Sequence, residues 1–316
     1  MRGHEGLDAA VLLLRRQGMI AEGESVTSRR LSGGTIAQVV LVAARDGRRW
    51  VVKHIPGLPA SALAAEVEGL SALGASGTVA VPRVHHQGDD AIVMEALHPA
   101  DGDSPTFWQR LGQDIAGLHA ATRTDRHGWR DDNWLGGLPQ HNGWEADGHR
   151  FFVERRVLRF LGEPRVRQVL SAADRQAIEH FCRRLPDLVP VMPAVLLHGD
   201  LGQHNVLAGP TGRPTLIDPA VCYGWAELDI SIFWMSSSGQ RSSAVDRFFA
   251  AWQEAAAPEP GWKERAPLLS IPAELSVLAE FGDVWGTADH LRATVAPFRR
   301  QAQAIPANGD KNNADG

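Results

Sequence analysis

The sequence predicts an α+β protein in two lobes: a small β-rich lobe over residues 1–97 and a larger, mainly helical lobe over 98–305, with a disordered tail over 306–316. Three observations carry this division. A chain of 316 residues suits about two domains. Its first hundred residues hold most of the β-branched, turn-punctuated runs. After the polar stretch His98 to Thr106 the apolar residues recur mostly at helical spacing.

In the small lobe, Ser25 to Leu31, Gln38 to Ala43 and Arg49 to His54 read as strands. The first two are joined through Ser32-Gly33-Gly34-Thr35, and the last two through Arg45-Asp46-Gly47, an Asp-Gly hairpin signal. Ala60 to Leu73 has leucine and alanine at helical spacing, and Ala91 to Leu97 returns to a short strand after the Val81-Pro82 break. Ser104-Pro105 opens a helix reaching about Ala121, since serine caps well and proline suits the first helical position. Val195 to Ile217 interrupts the helical signal with apolar pairs flanking turn residues. Helices are expected over Ser243 to Ala256 and Pro267 to Phe281, separated by Pro258-Glu259-Pro260-Gly261. The tail from Pro306 is rich in Asn, Asp and Gly, a composition that cannot bury a core.

Composition narrows the function. With 44% hydrophobic and 22% charged residues the chain is an ordinary globular one, and its net charge of −5 offers no basic surplus for a nucleic acid or an anionic membrane. The two cysteines, Cys182 and Cys222, make no disulfide framework, and the run Ala9 to Leu14 is too short for a signal core or membrane span. A cytoplasmic location is expected. Thirteen histidines show no HExxH or paired CxxC spacing, so a zinc site is not expected.

The chemistry concentrates in Leu197-His198-Gly199-Asp200-Leu201-Gly202-Gln203-His204-Asn205. An aspartate followed five positions later by an amide, in a tight glycine-containing loop, matches the catalytic-loop spacing of protein kinases. There Asp200 accepts the proton of a substrate hydroxyl and the Asn205 amide oxygen faces a metal ion on the phosphates. Capping and turn formation are the competing structural roles of these two types. Downstream, the apolar strand Thr215-Leu216-Ile217 ends in Asp218, placed to hold the Mg²⁺ that bridges the phosphates. Upstream, Gly33-Gly34 lies in a turn where backbone amides can approach phosphate. Lys53 ends the strand Trp50-Val51-Val52, and it is one of only three lysines, with Lys263 and Lys311, among 32 basic residues. A point-charge ammonium there suits the α/β-phosphates, with Glu66 on the following helix to hold it and Glu68 as the competing partner.

Together these residues resemble the aminoglycoside phosphotransferase superfamily of kinase-like enzymes, and within it the fructosamine kinase (ketosamine-3-kinase) family. Asp218-Pro219-Ala220, Tyr223-Gly224, Glu227 and Asp229 are similar to its DPA-x-YYG-x-x-E-x-D segment. Gly137-Leu138-Pro139-Gln140-His141-Asn142-Gly143-Trp144, with Phe151-Phe152 and Arg155-Arg156, is similar to its LPQxNxW…FF…R stretch, and Glu66 to Leu70 and Val93 to Glu95 follow in family order. The resemblance spans about Leu31 to Gly282. It implies a two-lobed protein-kinase-like fold, ATP and Mg²⁺ as cofactors, and adenine against the inter-lobe connection at Met94, Glu95, Ala96 and Leu97, with GTP the alternative nucleotide. It implies transfer of the γ-phosphoryl group to a hydroxyl of a small sugar-containing acceptor, by a monomer or homodimer.

Two places depart from the family. Gly202, Gln203 and His204 stand where it has Trp-Ser-Gly, and Ile271 to Glu280 replaces a Tyr/His/Asn-rich helix. Both fall on the acceptor side, where Gln203, His204, Trp225 and Glu227 are the expected contacts. Trp129, Trp134, Trp144 and Trp225 lie in polar surroundings and make an aromatic platform for the acceptor one reading, with core packing the other. An antibiotic-inactivating phosphotransferase is the alternative function, and a nucleotide-binding pseudokinase or scaffold the second alternative.

Overall fold

In the computed structural model, which describes residues 2–31, 37–237 and 242–299, the small lobe is a five-stranded antiparallel sheet. Its strands are β1 (Val26–Arg30), β2 (Gln38–Ala44), β3 (Arg49–His54), β4 (Val84–Gln87) and β5 (Ile92–Glu95), in spatial order β1-β2-β3-β5-β4. The Asp46-Gly47 turn sets Val42 opposite Trp50, so Val40, Val42, Trp50 and Val52 share one buried face. That face is closed by Ala10 and Leu14 of helix α1 (Arg2–Arg16). The opposite face carries helix α2 (Ala60–Ala75), whose Leu63 and Leu70 pack on Ile92 and Met94. Gly33 and Gly34, and the tail over 306–316, fall outside the described residues.

The chain leaves the sheet at Glu95 and joins the large lobe where His98 and Ala208 exchange backbone hydrogen bonds of 2.8 Å. Helix α3 (Pro105–Ala121) begins there, capped by the Ser104 hydroxyl, which accepts from the Phe107 amide. It lies against Ser243–Ala256 so closely that a Cβ on Gly112 would stand 2.4 Å from the Phe248 carbonyl oxygen. The segment expected as one helix from Pro267 to Phe281 is two, Trp262–Leu269 and Ile271–Phe281. Proline lacks the amide that continues a helix but fits a first turn, and Pro272 opens the second. The block over 195–217 forms three short strands, Val195–Leu197, Val206–Ala208 and Pro214–Leu216, which hold the loops of the site.

Candidate active site

Two loops meet below the sheet. Gly199 adopts φ +81, and a Cβ there would lie 2.0 Å from the Ala220 oxygen. The Ala220 amide donates to the His198 carbonyl at 2.9 Å. Glycine is therefore required for the Asp200 loop to lie against the strand end that carries Asp218. His198 is fully buried and spans the same junction, because its Nδ1 accepts from the Asp200 amide at 3.3 Å and its Nε2 lies 3.0 Å from the Ile217 carbonyl. Since Nδ1 accepts, Nε2 carries the proton and donates. Asp229, with no exposed surface, fixes the loop from beneath by accepting from the amides of His198 at 2.8 Å and Gly199 at 2.9 Å.

Asp200 and Asn205 face each other across this loop. The Asn205 Nδ2 donates to the Asp200 carbonyl at 2.8 Å and to its Oδ2 at 3.0 Å, which turns the amide oxygen of Asn205 away from Asp200. Burial raises the pKa of Asp200, against the lowering pull of His204, His198 and the Asn205 bond. Asp218 occupies a left-handed conformation, φ +56, which is uncommon for a residue with a side chain and places its carboxylate at the mouth of the cleft.

The small lobe delivers the cation. Lys53, 6% exposed, donates from Nζ to Glu66 Oε2 and to Asp218 Oδ1, both at 2.7 Å. One ammonium thus ties β3, α2 and the large lobe together. Burial works against its charge, but Asp218 and Glu66 outweigh that and raise its pKa. Asp218 is in turn held below the usual carboxylate range despite burial, chiefly by Lys53. Burial drives Glu66 the other way, upward, because it shares the ammonium with Asp218. Glu68 is engaged elsewhere, accepting from Trp129 Nε1 at 2.7 Å and pairing with Arg130. Met94 places its side chain in the small-lobe core, so only its backbone, with that of Glu95 to Leu97, is presented along the connection.

The donors around the Lys53 ammonium and the Asp200 loop are hard oxygens. Asp218 has one oxygen on Lys53 and a side chain 41% exposed, and the Asn205 oxygen is on the side of the amide away from Asp200. That set fits Mg²⁺, which takes carboxylate and amide oxygens and keeps several waters. Among the described residues no group of three or more His, Cys, Asp or Glu is arranged to hold a metal ion.

On the far side of Asp200 a cavity of about 730 Å³ opens into the large lobe. Gly199, Asp200, Gln203 and His204 form its inner end, so two of the four expected acceptor contacts line it. The other two do not. Trp225 is 1% exposed and stacked on Phe152 at 5.6 Å, within an apolar cluster where a large ring gains most from burial. Glu227 is 3% exposed and gives both oxygens to Arg265, at 2.5 and 2.8 Å, so its charge is already neutralised inside the protein. Nor do Trp129, Trp134 and Trp144 form an acceptor platform. Trp129 stacks on Tyr223, Trp144 lies under Arg126, and none of the three lines the cavity. The aromatic walls are instead Phe160, Phe281 and Trp285, with Arg155, Arg159, Glu274, Glu280 and His290 as charged or titratable groups.

Arg155 reaches the cavity from an unusual stretch, because Phe152–Leu158 is wound as a π-helix, and Arg159 follows it at the start of the next α-helical turn. Such i→i+5 turns recur at functional sites. The Gly137–Trp144 motif itself is a buried polar clamp. Gln140 Nε2 donates to Asn133 Oδ1 and the Ala220 carbonyl, Asn133 Nδ2 to the Val221 carbonyl, Asn142 Nδ2 to Asn133 Oδ1, and Arg156 to Asn142 Oδ1. It braces the backbone just after Asp218.

Comparison with known proteins assigns the family and the fold. Residues 14–292 match the family model for fructosamine kinase. A probable ketoamine kinase of Synechocystis sp. is 31% identical over 259 residues, covering 80% of this chain and 84% of that one. A chloroplastic protein-ribulosamine 3-kinase of Oryza sativa subsp. japonica is 27% identical over 277 residues, 84% of this chain and 78% of that one. Among solved structures, a candidate fructosamine-3-kinase from Thermobifida fusca superposes with a TM-score of 0.76 at 27% identity, covering 89% of this chain and 97% of that one. A macrolide 2'-phosphotransferase from Brachybacterium faecium, with a TM-score of 0.58 at 20% identity over 92% of this chain and 99% of that one, shares the kinase-like fold. This chain belongs to the fructosamine kinase family.

Proposed function

We propose that the protein is an ATP-dependent, Mg²⁺-assisted kinase that transfers the γ-phosphoryl group to a sugar hydroxyl of a small ketosamine. The observation that carries the reading is the position of Asp200. It stands between a cleft furnished with Lys53, Glu66, Asn205 and Asp218 and a separate cavity large enough for a sugar with a substituent. Relatives with 31% and 27% identity are named for ketoamine and ribulosamine substrates, which favours a sugar amine over an antibiotic acceptor.

In this reading Asp200 accepts the proton of the acceptor hydroxyl as its oxygen bonds to the γ-phosphorus, while the bond from that phosphorus to the bridging β-γ oxygen breaks and ADP leaves. A carboxylate whose pKa is raised by burial accepts that proton more readily than an ordinary aspartate. Lys53 binds the α/β-phosphate oxygens, with Glu66 keeping its ammonium in place. Asp218 and Asn205 would hold Mg²⁺, which would supply neutralisation of the phosphate charge. His198 and Asp229 act through the backbone, fixing where Asp200 points.

Asp200→Asn tests the assignment. It keeps the size of the side chain and removes the basic oxygen, so turnover of a ketosamine should fall about 10²–10⁴-fold while ATP affinity stays within threefold or so of wild type. Wild-type turnover in this variant would refute the role of Asp200. A pseudokinase, the second alternative, would bind ATP but transfer no phosphate to any acceptor even as wild type.

A further inference from the structure

The cavity beyond Asp200 ends on the C-terminal part of helix Ile271–Phe281 and the turn after it, where Glu280, Phe281 and Trp285 come together. Glu280 lines the cavity, and among the described residues no side-chain cation forms a salt bridge with its carboxylate. Its Oε1 accepts from the Gly137 amide at 2.7 Å, and the neighbouring Arg165 is bonded to the backbone carbonyl of Glu280 instead. Burial and then the field of Asp200 raise the pKa of Glu280, against the Gly137 bond and Arg165. Asp200, Glu274 and Glu280 face this cavity together with Arg155, Arg156 and Arg159. Arg156 is engaged by the His141 carbonyl and Asn142 Oδ1 and Arg159 by the Pro139 carbonyl, so a cation placed between Asp200 and Glu280 relieves their mutual repulsion. Glu274, the other acid on the same helix, already has His290 at 3.1 Å and Ser270 at 2.8 Å.

Two aromatic rings line the same cavity as Glu280. Phe281 and Trp285 have centroids 6.0 Å apart. Trp285 is 78% exposed and sits at φ +54, a backbone conformation that costs a bulky residue energy. Burial does not account for a large ring held outward on an unfavourable backbone at the rim of a cavity. A carboxylate and two aromatic rings lining one cavity supply the chemistry that recognises an organic ammonium, charge pairing and cation–π attraction together.

We infer that Glu280, with Phe281 and Trp285, forms the subsite for the protonated amine of the acceptor, so that the enzyme selects sugars by the positive charge of the amine. Resting on the proposed ketosamine kinase activity, the assignment makes Glu280 the residue that separates an amine-bearing sugar from a neutral one. Phe281 and Trp285 receive the substituent on the nitrogen, with Asp200 left to the hydroxyl.

Steady-state kinetics with two acceptors provide the test: the fructose-derived ketosamine of ethylamine, protonated at neutral pH, and that of trifluoroethylamine, whose nitrogen is far less basic. Wild type should show a KM roughly ten- to a hundredfold lower for the basic acceptor, the range of one charge-assisted contact, at similar kcat. Glu280→Gln keeps an oxygen for the Gly137 amide and should bring the two KM values together, with ATP affinity and melting temperature unchanged. Trp285→Ala should raise KM for the basic acceptor roughly two- to fivefold. Turnover of both acceptors without discrimination by wild type, or full discrimination retained in Glu280→Gln, overturns the inference and leaves the kinase reading intact. Failure of wild type to phosphorylate either acceptor overturns the kinase reading and this inference with it. The wild-type comparison decides the matter even if Glu280→Gln does not fold.

Discussion

Lys53 shows how much a single residue does in this molecule. Its ammonium contacts Glu66 and Asp218 at 2.7 Å each, joining the two lobes, and few other lysines exist to replace it. Lys263 lies in a distant helix, over the ring of Trp262. Lys53→Met should therefore lower kcat/KM for ATP by roughly 10²–10³-fold, the cost of losing one pre-positioned charge donor, as measured with saturating acceptor. Loss of stability should be softened, because Glu66, already raised by burial, can take up a proton when its partner is gone. His290 offers a different test. Its pKa is raised, first by the hydrogen bond to Glu274, so its protonated form is favoured in the folded state. The stabilisation is then fully present below the ordinary histidine value and fades as pH rises through the folded one. Urea unfolding of wild type and His290→Asn should show a stability difference that is largest near pH 5.5 and shrinks toward pH 8.5. A difference that grows with pH would contradict the pairing.

At the level of elements, the site depends on loops fixed from behind. Helix Ala226–Ser237 places Asp229 under the Asp200 loop, where it satisfies two buried amides and lies 3.3 Å from His119 Nε2 on α3. Asp229→Ala leaves those two donors unpaired, at about 1–3 kcal/mol each. Chemical denaturation should show a loss of roughly 2–5 kcal/mol, and kcat should fall more than the KM for ATP changes, because the loop rather than the nucleotide site has shifted. The aspartate was visible in the sequence only as a member of the segment after Asp218. Nothing at position 229 announces that its partners are amides 30 residues upstream. The same limit applies to Gln140 and Asn142. Their motif was readable, but its work as a polar clamp beneath Ala220 and Val221 exists only after long-range folding. Local signals served best where local physics decides. The Asp46-Gly47 hairpin, the Ser104-Pro105 helix start and the helix Ser243–Ala256 all occur at the expected places. The short edge strand β4, which carries His85 and His86, escapes the sequence reading because four residues hold too little periodicity to register, and helix α1 is a further element outside that reading.

Across the whole molecule, the two halves of the site differ in how they are encoded. Lys53, Glu66, Asp200, Asn205 and Asp218 have residue types and order that the chemistry of phosphoryl transfer demands, and the fold brings them to one cleft. The acceptor wall has no such code. It is assembled from a catalytic-loop turn, a π-helical stretch and the end of helix Ile271–Phe281, and its specificity lies in which side chains remain unpaired there. Trp225 and Glu227 illustrate the difficulty, because an aromatic or an acid beside the motif reads alike whether it faces a ligand or is satisfied inside the protein. The central claim is that the cleft and the cavity meet at Asp200 so that phosphate passes from ATP to a ketosamine hydroxyl. Phosphorus NMR of a reaction containing ATP, Mg²⁺ and a fructose-derived ketosamine tests it directly. Growth of a phosphate monoester signal on the sugar, matched by ADP and absent with Asp200→Asn, is the predicted result. ADP released with inorganic phosphate alone, or an ester formed equally well by Asp200→Asn, would contradict it.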